Sequence, residues 1–140
     1  WRILVLKTFG ANLSGMPFIH STARIQIPWN LTMKSRACLG EHANAYSLGK
    51  IDIQEGATIA QEAYLCTGTH DFNDPSLQLI TKPITVGKNA FIGARAMILP
   101  GVCIGDRVIV GAMSLVSKDV PDHQIVAGSP AQKIGERTTS

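Results

Sequence analysis

The sequence predicts an all-β solenoid of about five coils, and three observations carry that expectation. First, from Val86 the chain divides into six consecutive hexads, VGKNAF, IGARAM, ILPGVC, IGDRVI, VGAMSL and VSKDVP, each opening on Val or Ile. Second, earlier stretches obey the same rule: IHSTAR from Ile19, MKSRAC from Met33, LGEHAN from Leu39, IQEGAT from Ile53 and IAQEAY from Ile59. Third, the fifth residue of a hexad is mostly small or Val, and it lies two places before the next opening residue, so on a short strand both point inward. A fixed short period of this kind is the signature of stacked repeats.

The elements follow in chain order. "WRILVLKTFG" carries apolar residues at Trp1, Leu4 and Val5 and stops at Gly10, which suits a short helix in an N-terminal cap over residues 1–13. The solenoid is expected over residues 19–121. Its hexads often carry glycine second, just past the strand, where a turn with positive φ is expected. The register slips by two residues between Ile25 and Met33 and again between Ala45 and Ile53. These slips are 20 residues apart and so bulge from one corner of a triangular coil, one carrying Pro28, Trp29 and Asn30, the other Tyr46, Ser47 and Leu48. Trp29 fills a slot that normally holds a small side chain. "LCTGTHDFNDPS" then breaks the period altogether. By the count, His70 ends an outward-facing strand and a loop follows over residues 71–83. After Pro121 the chain leaves the repeat for a tail over residues 122–140, and the whole is expected to form a single domain.

Composition excludes several function classes. A net charge of +3 in 140 residues shows no clustered basic footprint for nucleic acid. No apolar run reaches the ~18 residues of a membrane span, and no signal peptide is evident. The cysteines, Cys38, Cys66 and Cys103, are odd in number and far apart, which fits neither a disulfide framework nor a zinc site and suits a reducing cytoplasm. The chain lacks an initiating methionine, which leaves open what precedes Trp1. Outward positions stack apolar on apolar, Phe91 under Ile109 and Met97 under Leu115, so a subunit contact is expected there.

Among the histidines, His20 and His42 occupy corners and His123 lies in the tail. His70 differs: it sits beside the bulged edge at the root of a long loop, and such loops are often functional. Imidazole as a class exchanges protons near neutral pH. Asp71 either orients His70 or starts the turn in "DFNDP".

"AYLCTGTHDF", "AFIGARAMILPGVCIGDRVIVGAMSLVSKDVP" and "VAGSPAQKIG" resemble the hexapeptide-repeat O-acetyltransferases of the colanic-acid and exopolysaccharide type. They are more distantly similar to galactoside and maltose acetyltransferases. The resemblance spans residues 1–137. It implies a left-handed parallel β-helix, a homotrimer, acetyl-CoA as cosubstrate, no metal, and His70 as general base for a sugar or glycolipid hydroxyl. It also implies that the pantetheine arm lies along Ala94, Gly111 and Ala112, with Phe91 against the arm or a subunit, and with Ser117, Lys118 and Lys133 near the nucleotide. "SPAQK" departs from the commoner "PAK" arrangement at Lys133. Asn44, Tyr46, Ser47, Asp52 and Asp71 are the acceptor-site candidates, with Asp52 expected on the face of His70. By register, His70 and the Ala94–Ala112 corner are expected on one edge.

Other readings are a non-catalytic β-helix scaffold and an acetyltransferase for another small hydroxyl acceptor, such as serine, a galactoside or maltose. A metal lyase of the γ-carbonic-anhydrase type is excluded, because the histidines are separated by 22, 28 and 53 residues.

Overall fold

The computed structural model describes residues 1–138. Three parallel sheets wrap one interior. The first face stacks strands Asn12–Leu13, Leu31–Met33, Ile51–Ile53, Ile84–Val86 and Cys103–Ile104. The second stacks Phe18–Ile19, Cys38–Leu39, Thr58–Ile59, Phe91–Ile92 and Ile109–Val110, and the third stacks Arg24–Ile25, Asn44–Tyr46, Tyr64–Cys66, Met97–Ile98 and Leu115–Val116. The chain visits the faces in that order, coil after coil.

The hexad rule explains the interior. Ile92, Ala96, Ile98, Val108 and Val110, all first or fifth in a hexad, are completely buried. One continuous apolar core of such residues runs the length of the prism. Burying a Leu- or Ile-sized side chain is worth about 1.5–3 kcal/mol, so the stack of first positions carries the fold.

The corners do not use glycine as expected. Positive φ falls on the fourth residue of the hexad: Arg36, His42, Glu62, Asn89, Arg95, Arg107 and Met113 all lie between 52° and 62°. Each turn is steadied by the neighbouring coil, as where the Arg95 N–H donates to the Gln61 carbonyl (3.1 Å) and the Met113 N–H to the Ala94 carbonyl (2.9 Å). The second-position glycines serve close approach instead. A Cβ on Gly93 would stand 2.6 Å from the Ala112 nitrogen, and one on Gly87 2.5 Å from the Gly105 carbonyl carbon.

The ends differ from expectation too. The helix, Arg2–Thr8, is shorter than the cap of residues 1–13, and the strand ladder begins at Asn12, one strand before Ile19, because Asn12 pairs with Thr32 and Phe18 with Cys38. Arg2 ties helix to coil through the Ser21 and Ala23 carbonyls, both at 2.6 Å. At the far end the tail does not leave the solenoid. Gln124–Gly128 extends the second face, and Ala131–Glu136 folds back antiparallel upon it. The buried Ser114 hydroxyl pins this hairpin by accepting the Gly128 N–H at 3.1 Å.

One edge, between third and first faces, carries the irregularity. Coil repeats there are 20 residues for the pairs Asn12↔Thr32 and Thr32↔Asp52, 33 for Asp52↔Thr85 and 18 for Thr85↔Cys103. Side chains knit the excess backbone. The fully buried Ser47 hydroxyl accepts the Ile27 N–H and donates to the Ile27 carbonyl, both at 2.9 Å. Asn30 donates to the carbonyls of Ser47 and Leu48 at 3.0 Å. Trp29 sits in the turn Pro28–Asn30, 66% exposed, against the end of the N-terminal helix at Gly10.

Candidate functional site

The third–first edge projects one long excursion, and it is not a structureless loop. Gly68–His70 and Leu79–Thr81 form an antiparallel hairpin, with His70 opposite Leu79. The excursion therefore starts at Thr67, and His70 is not a face position; the next outward residue on the first face is Thr85, paired with Asp52. The register count fails because three hairpin residues, Gly68, Thr69 and His70, stand where it places a solenoid strand.

Thr67 anchors the hairpin. Its hydroxyl, fully buried, donates to the Tyr46 carbonyl (2.6 Å) and accepts the Gly49 N–H (2.8 Å). Gly68 follows because a Cβ there would approach Leu48 Cδ1 to 3.1 Å and Tyr46 Cε1 to 3.2 Å. Tyr46 in turn packs on Tyr64, ring centroids 5.9 Å apart.

His70 is exposed, and its Nδ1 lies 2.7 Å from the Leu77 carbonyl. A carbonyl only accepts, so Nδ1 is the donor, and in the neutral ring Nε2 is then the nitrogen with the lone pair. Asp71 does not orient the ring: its carboxylate accepts the Asn73 N–H at 2.9 Å, and its own N–H donates to the Gln78 carbonyl at 2.8 Å. The turn-starting role is the one observed. Asp74 accepts the Ser76 N–H (2.9 Å) and hydroxyl (2.7 Å), and these two bonds hold its carboxyl below the usual carboxylate range. Thr67, Gly68, Asp74 and Leu77 are the residues that sequence reasoning missed. "NDPS" signals a turn, but a backbone carbonyl aimed at an imidazole leaves no mark in the sequence.

The remaining candidates divide among the edges. Ala94, Gly111 and Ala112 lie on the second–third edge, one coil apart, not on the edge of His70. Counting hexads from a displaced His70 put them together; in one chain, the third face separates them. Ala94 and Ala112 are small, and neither amide donates to a carbonyl among the described residues. Gly93 lets its turn pass close to the Gly111–Ala112 turn of the next coil, and Gly111 in turn lies against Ala127 of the tail. The Ala94–Ala112 ridge fits an extended acyl-carrier arm: small side chains, free donors and a repeat of roughly 5 Å. Ser117 and Lys118 are exposed on the third–first edge, two coils beyond the hairpin. Lys133, on the tail hairpin, is paired with Glu136 at 2.7 Å. Phe91 is 43% exposed on the second face, in register with Ile109, and Met97 on the third is in register with Leu115.

Of the acceptor candidates, Asn44 and Tyr46 line the third face below the hairpin root. Ser47 cannot meet a sugar, because it is buried with its hydroxyl engaged at Ile27. Asp52 belongs to the first face and accepts from Gln54 at 2.8 Å, so it does not share a face with His70. A shallow hollow lined by His123, Glu136, Arg137 and Thr138 lies on the first–second edge and holds none of these groups. No His, Cys, Asp or Glu cluster suited to a metal ion occurs among the described residues.

The Escherichia coli (strain K12) protein WcaF, provisionally named a colanic acid biosynthesis acetyltransferase, is 37% identical over 137 residues, covering 98% of this chain and 75% of that protein. This chain belongs to the hexapeptide-repeat acetyltransferase family. Residues 83–118 match the family described as bacterial transferase hexapeptide (six repeats). A maltose O-acetyltransferase from Clostridium difficile 630 superposes with a TM-score of 0.84 at 26% identity, over 99% of this chain and 75% of the other. A Vibrio cholerae O1 biovar eltor hexapeptide-repeat acetyltransferase, solved with acetyl-CoA, reaches a TM-score of 0.90 at 22% identity, over 99% of this chain and 77% of its own, a likeness of fold. The fold of this hexapeptide-repeat acyltransferase is accordingly the left-handed parallel β-helix. No helix among the described residues is long and apolar enough to cross a membrane.

Proposed function

We propose that this acyltransferase moves an acetyl group from acetyl-CoA to a hydroxyl of a sugar or glycolipid precursor of an exopolysaccharide, with His70 as general base. The observation that carries the reading is the 2.7 Å bond from His70 Nδ1–H to the Leu77 carbonyl, which leaves Nε2 free on an exposed edge to accept a proton. The names of the O-acetyltransferase relatives support the acceptor class.

In this reaction Nε2 takes the hydroxyl proton as the oxygen attacks the thioester carbonyl. The tetrahedral oxyanion then collapses, the C–S bond breaks, and the imidazolium returns the proton to the departing thiolate. Positioned proton transfer contributes roughly 10²–10⁴-fold, and holding alcohol and thioester together contributes more. Backbone N–H groups of the coil edge are suited to stabilise the oxyanion. The thiol-bearing arm lies along the amides of Ala94 and Ala112, beside Gly111, with Phe91 against it or against a neighbouring subunit. Ser117, Lys118 and Lys133 stand toward the nucleotide; Lys133 must leave Glu136 to meet a phosphate. Asn44 and Tyr46 face the acceptor.

His70 and the Ala94–Ala112 ridge occupy different edges of one prism, so the site is completed in a homotrimer, where one protomer's hairpin meets the next protomer's ridge. Two measurements test the function. His70→Ala should lower acetyl transfer by at least about 10²-fold while calorimetry still detects CoA binding. Near-normal turnover in that variant excludes the base, and absence of binding at millimolar CoA favours a scaffold.

A further inference from the structure

We propose that Asp74 is a positioning residue for His70: through Ser76 it folds the hairpin loop so that the Leu77 carbonyl holds the imidazole in its Nδ1–H form. The inference rests on the reading of His70 as the base and extends it to the device that sets which nitrogen is free.

Leu77 has φ +50°, and it is the one non-glycine residue of positive φ among the described residues that lies outside a solenoid corner. At the corners, a neighbouring coil supplies the restraint. Leu77 is exposed on the hairpin loop, and a β-carbon in the left-handed region is disfavoured. Something local must hold it. Asp74 does so twice over. Its carbonyl accepts the Leu77 N–H at 2.8 Å, and its carboxylate accepts both Ser76 donors. Residues 74–77 thereby close into one turn whose last carbonyl points back to Nδ1. The outer clasp, Asp71 N–H to the Gln78 carbonyl, fixes where the turn sits on the hairpin. Backbone strain held by side-chain bonds next to a reactive group marks preorganisation. The backbone bond alone cannot do it, because Leu77 has other conformers that keep its N–H near Asp74 yet turn its carbonyl away.

The test reads the tautomer directly. In the full chain, ¹⁵N chemical shifts of the His70 ring nitrogens, assigned by loss of the signals in His70→Ala, should show a protonated Nδ1 in the wild type. In Asp74→Ala the pattern should move toward Nε2–H, with kcat falling about tenfold and KM for acetyl-CoA unchanged. Asp74→Asn keeps an oxygen for the Ser76 N–H and should restore both the tautomer and most of the kcat. Ser76→Ala, which removes one donor, should fall between them. The hairpin lies outside the core, so circular dichroism should show an intact solenoid in each variant. An unchanged tautomer in Asp74→Ala overturns the proposal, as does equal impairment in Asp74→Ala and Asp74→Asn. If His70→Ala retains turnover, the base assignment falls, while the ¹⁵N pattern still decides whether Asp74 sets the ring.

Discussion

Cys103 shows how much of this molecule's chemistry is decided by the neighbours of a single side chain. It faces outward on the first face, and its backbone N–H donates to the Asp119 carboxylate at 2.8 Å. Partial burial pushes the thiol up, and the negative charges of Asp119, Asp122 and Asp106 push it further in the same direction. Only the thiolate is alkylated, so the rate of modification follows deprotonation. The sign is plain: a raised pKa means less thiolate at a given pH. We expect the pH midpoint for iodoacetamide labelling of Cys103, followed by peptide mass spectrometry, to lie above the ordinary thiol value of about 8.5. Asp119→Asn keeps the oxygen that accepts the Cys103 N–H and removes a charge, and should move the midpoint down. A midpoint at or below that of a free thiol would contradict the placement of these carboxylates.

At the scale of elements, the third–first edge is where regular repeat gives way to device. Ser47 is the plainest instance. As a polar residue beside the hairpin it invites a role at the acceptor, but its burial and its two bonds to Ile27 make it structural. Ser47→Ala leaves the Ile27 N–H without its partner, while the Ile27 carbonyl keeps the Asn30 N–H at 3.1 Å, and one unsatisfied buried group costs about 1–3 kcal/mol. The expected outcome is a lower Tm with acceptor KM and kcat retained at permissive temperature; a stable variant with a raised acceptor KM would restore Ser47 to the site. The two slips on this edge are legible in the sequence as 20-residue spacings, because apolar first and fifth positions resume their phase afterwards. The hairpin is not. Its strands, GTH and LIT, are three residues each, neither alternates cleanly, and the connection lacks the Asn-Gly or Asp-Gly pair that marks tight hairpins. Thr67 resembles any exposed threonine in the sequence, although it is the residue on which the hairpin hangs.

At the scale of the whole molecule, the periodicity reveals which residues point inward and says nothing about which edges meet in an assembly. The first and fifth positions are buried as expected, since burial follows from period alone. The site depends on the relation between edges, and a two-residue slip or a hairpin moves a residue to another edge without disturbing the core. His70 and the Ala94–Ala112 ridge flank opposite sides of the third face, which carries Met97 in register with Leu115. In a cyclic trimer each interface is heterologous, pairing one surface of a protomer with a different surface of the next. In the proposed trimer two different edges can thus be brought together at every interface, so that each proposed site draws on two chains. Complementation tests this. His70→Ala removes the proposed base and Ala112→Trp obstructs the proposed donor ridge, so each variant alone should be inactive. Trimers assembled at random from equal amounts of both should recover roughly a quarter of wild-type sites, those where an intact hairpin meets an intact ridge. If base and ridge serve the same site within one chain, every mixed trimer remains dead, because no protomer carries both.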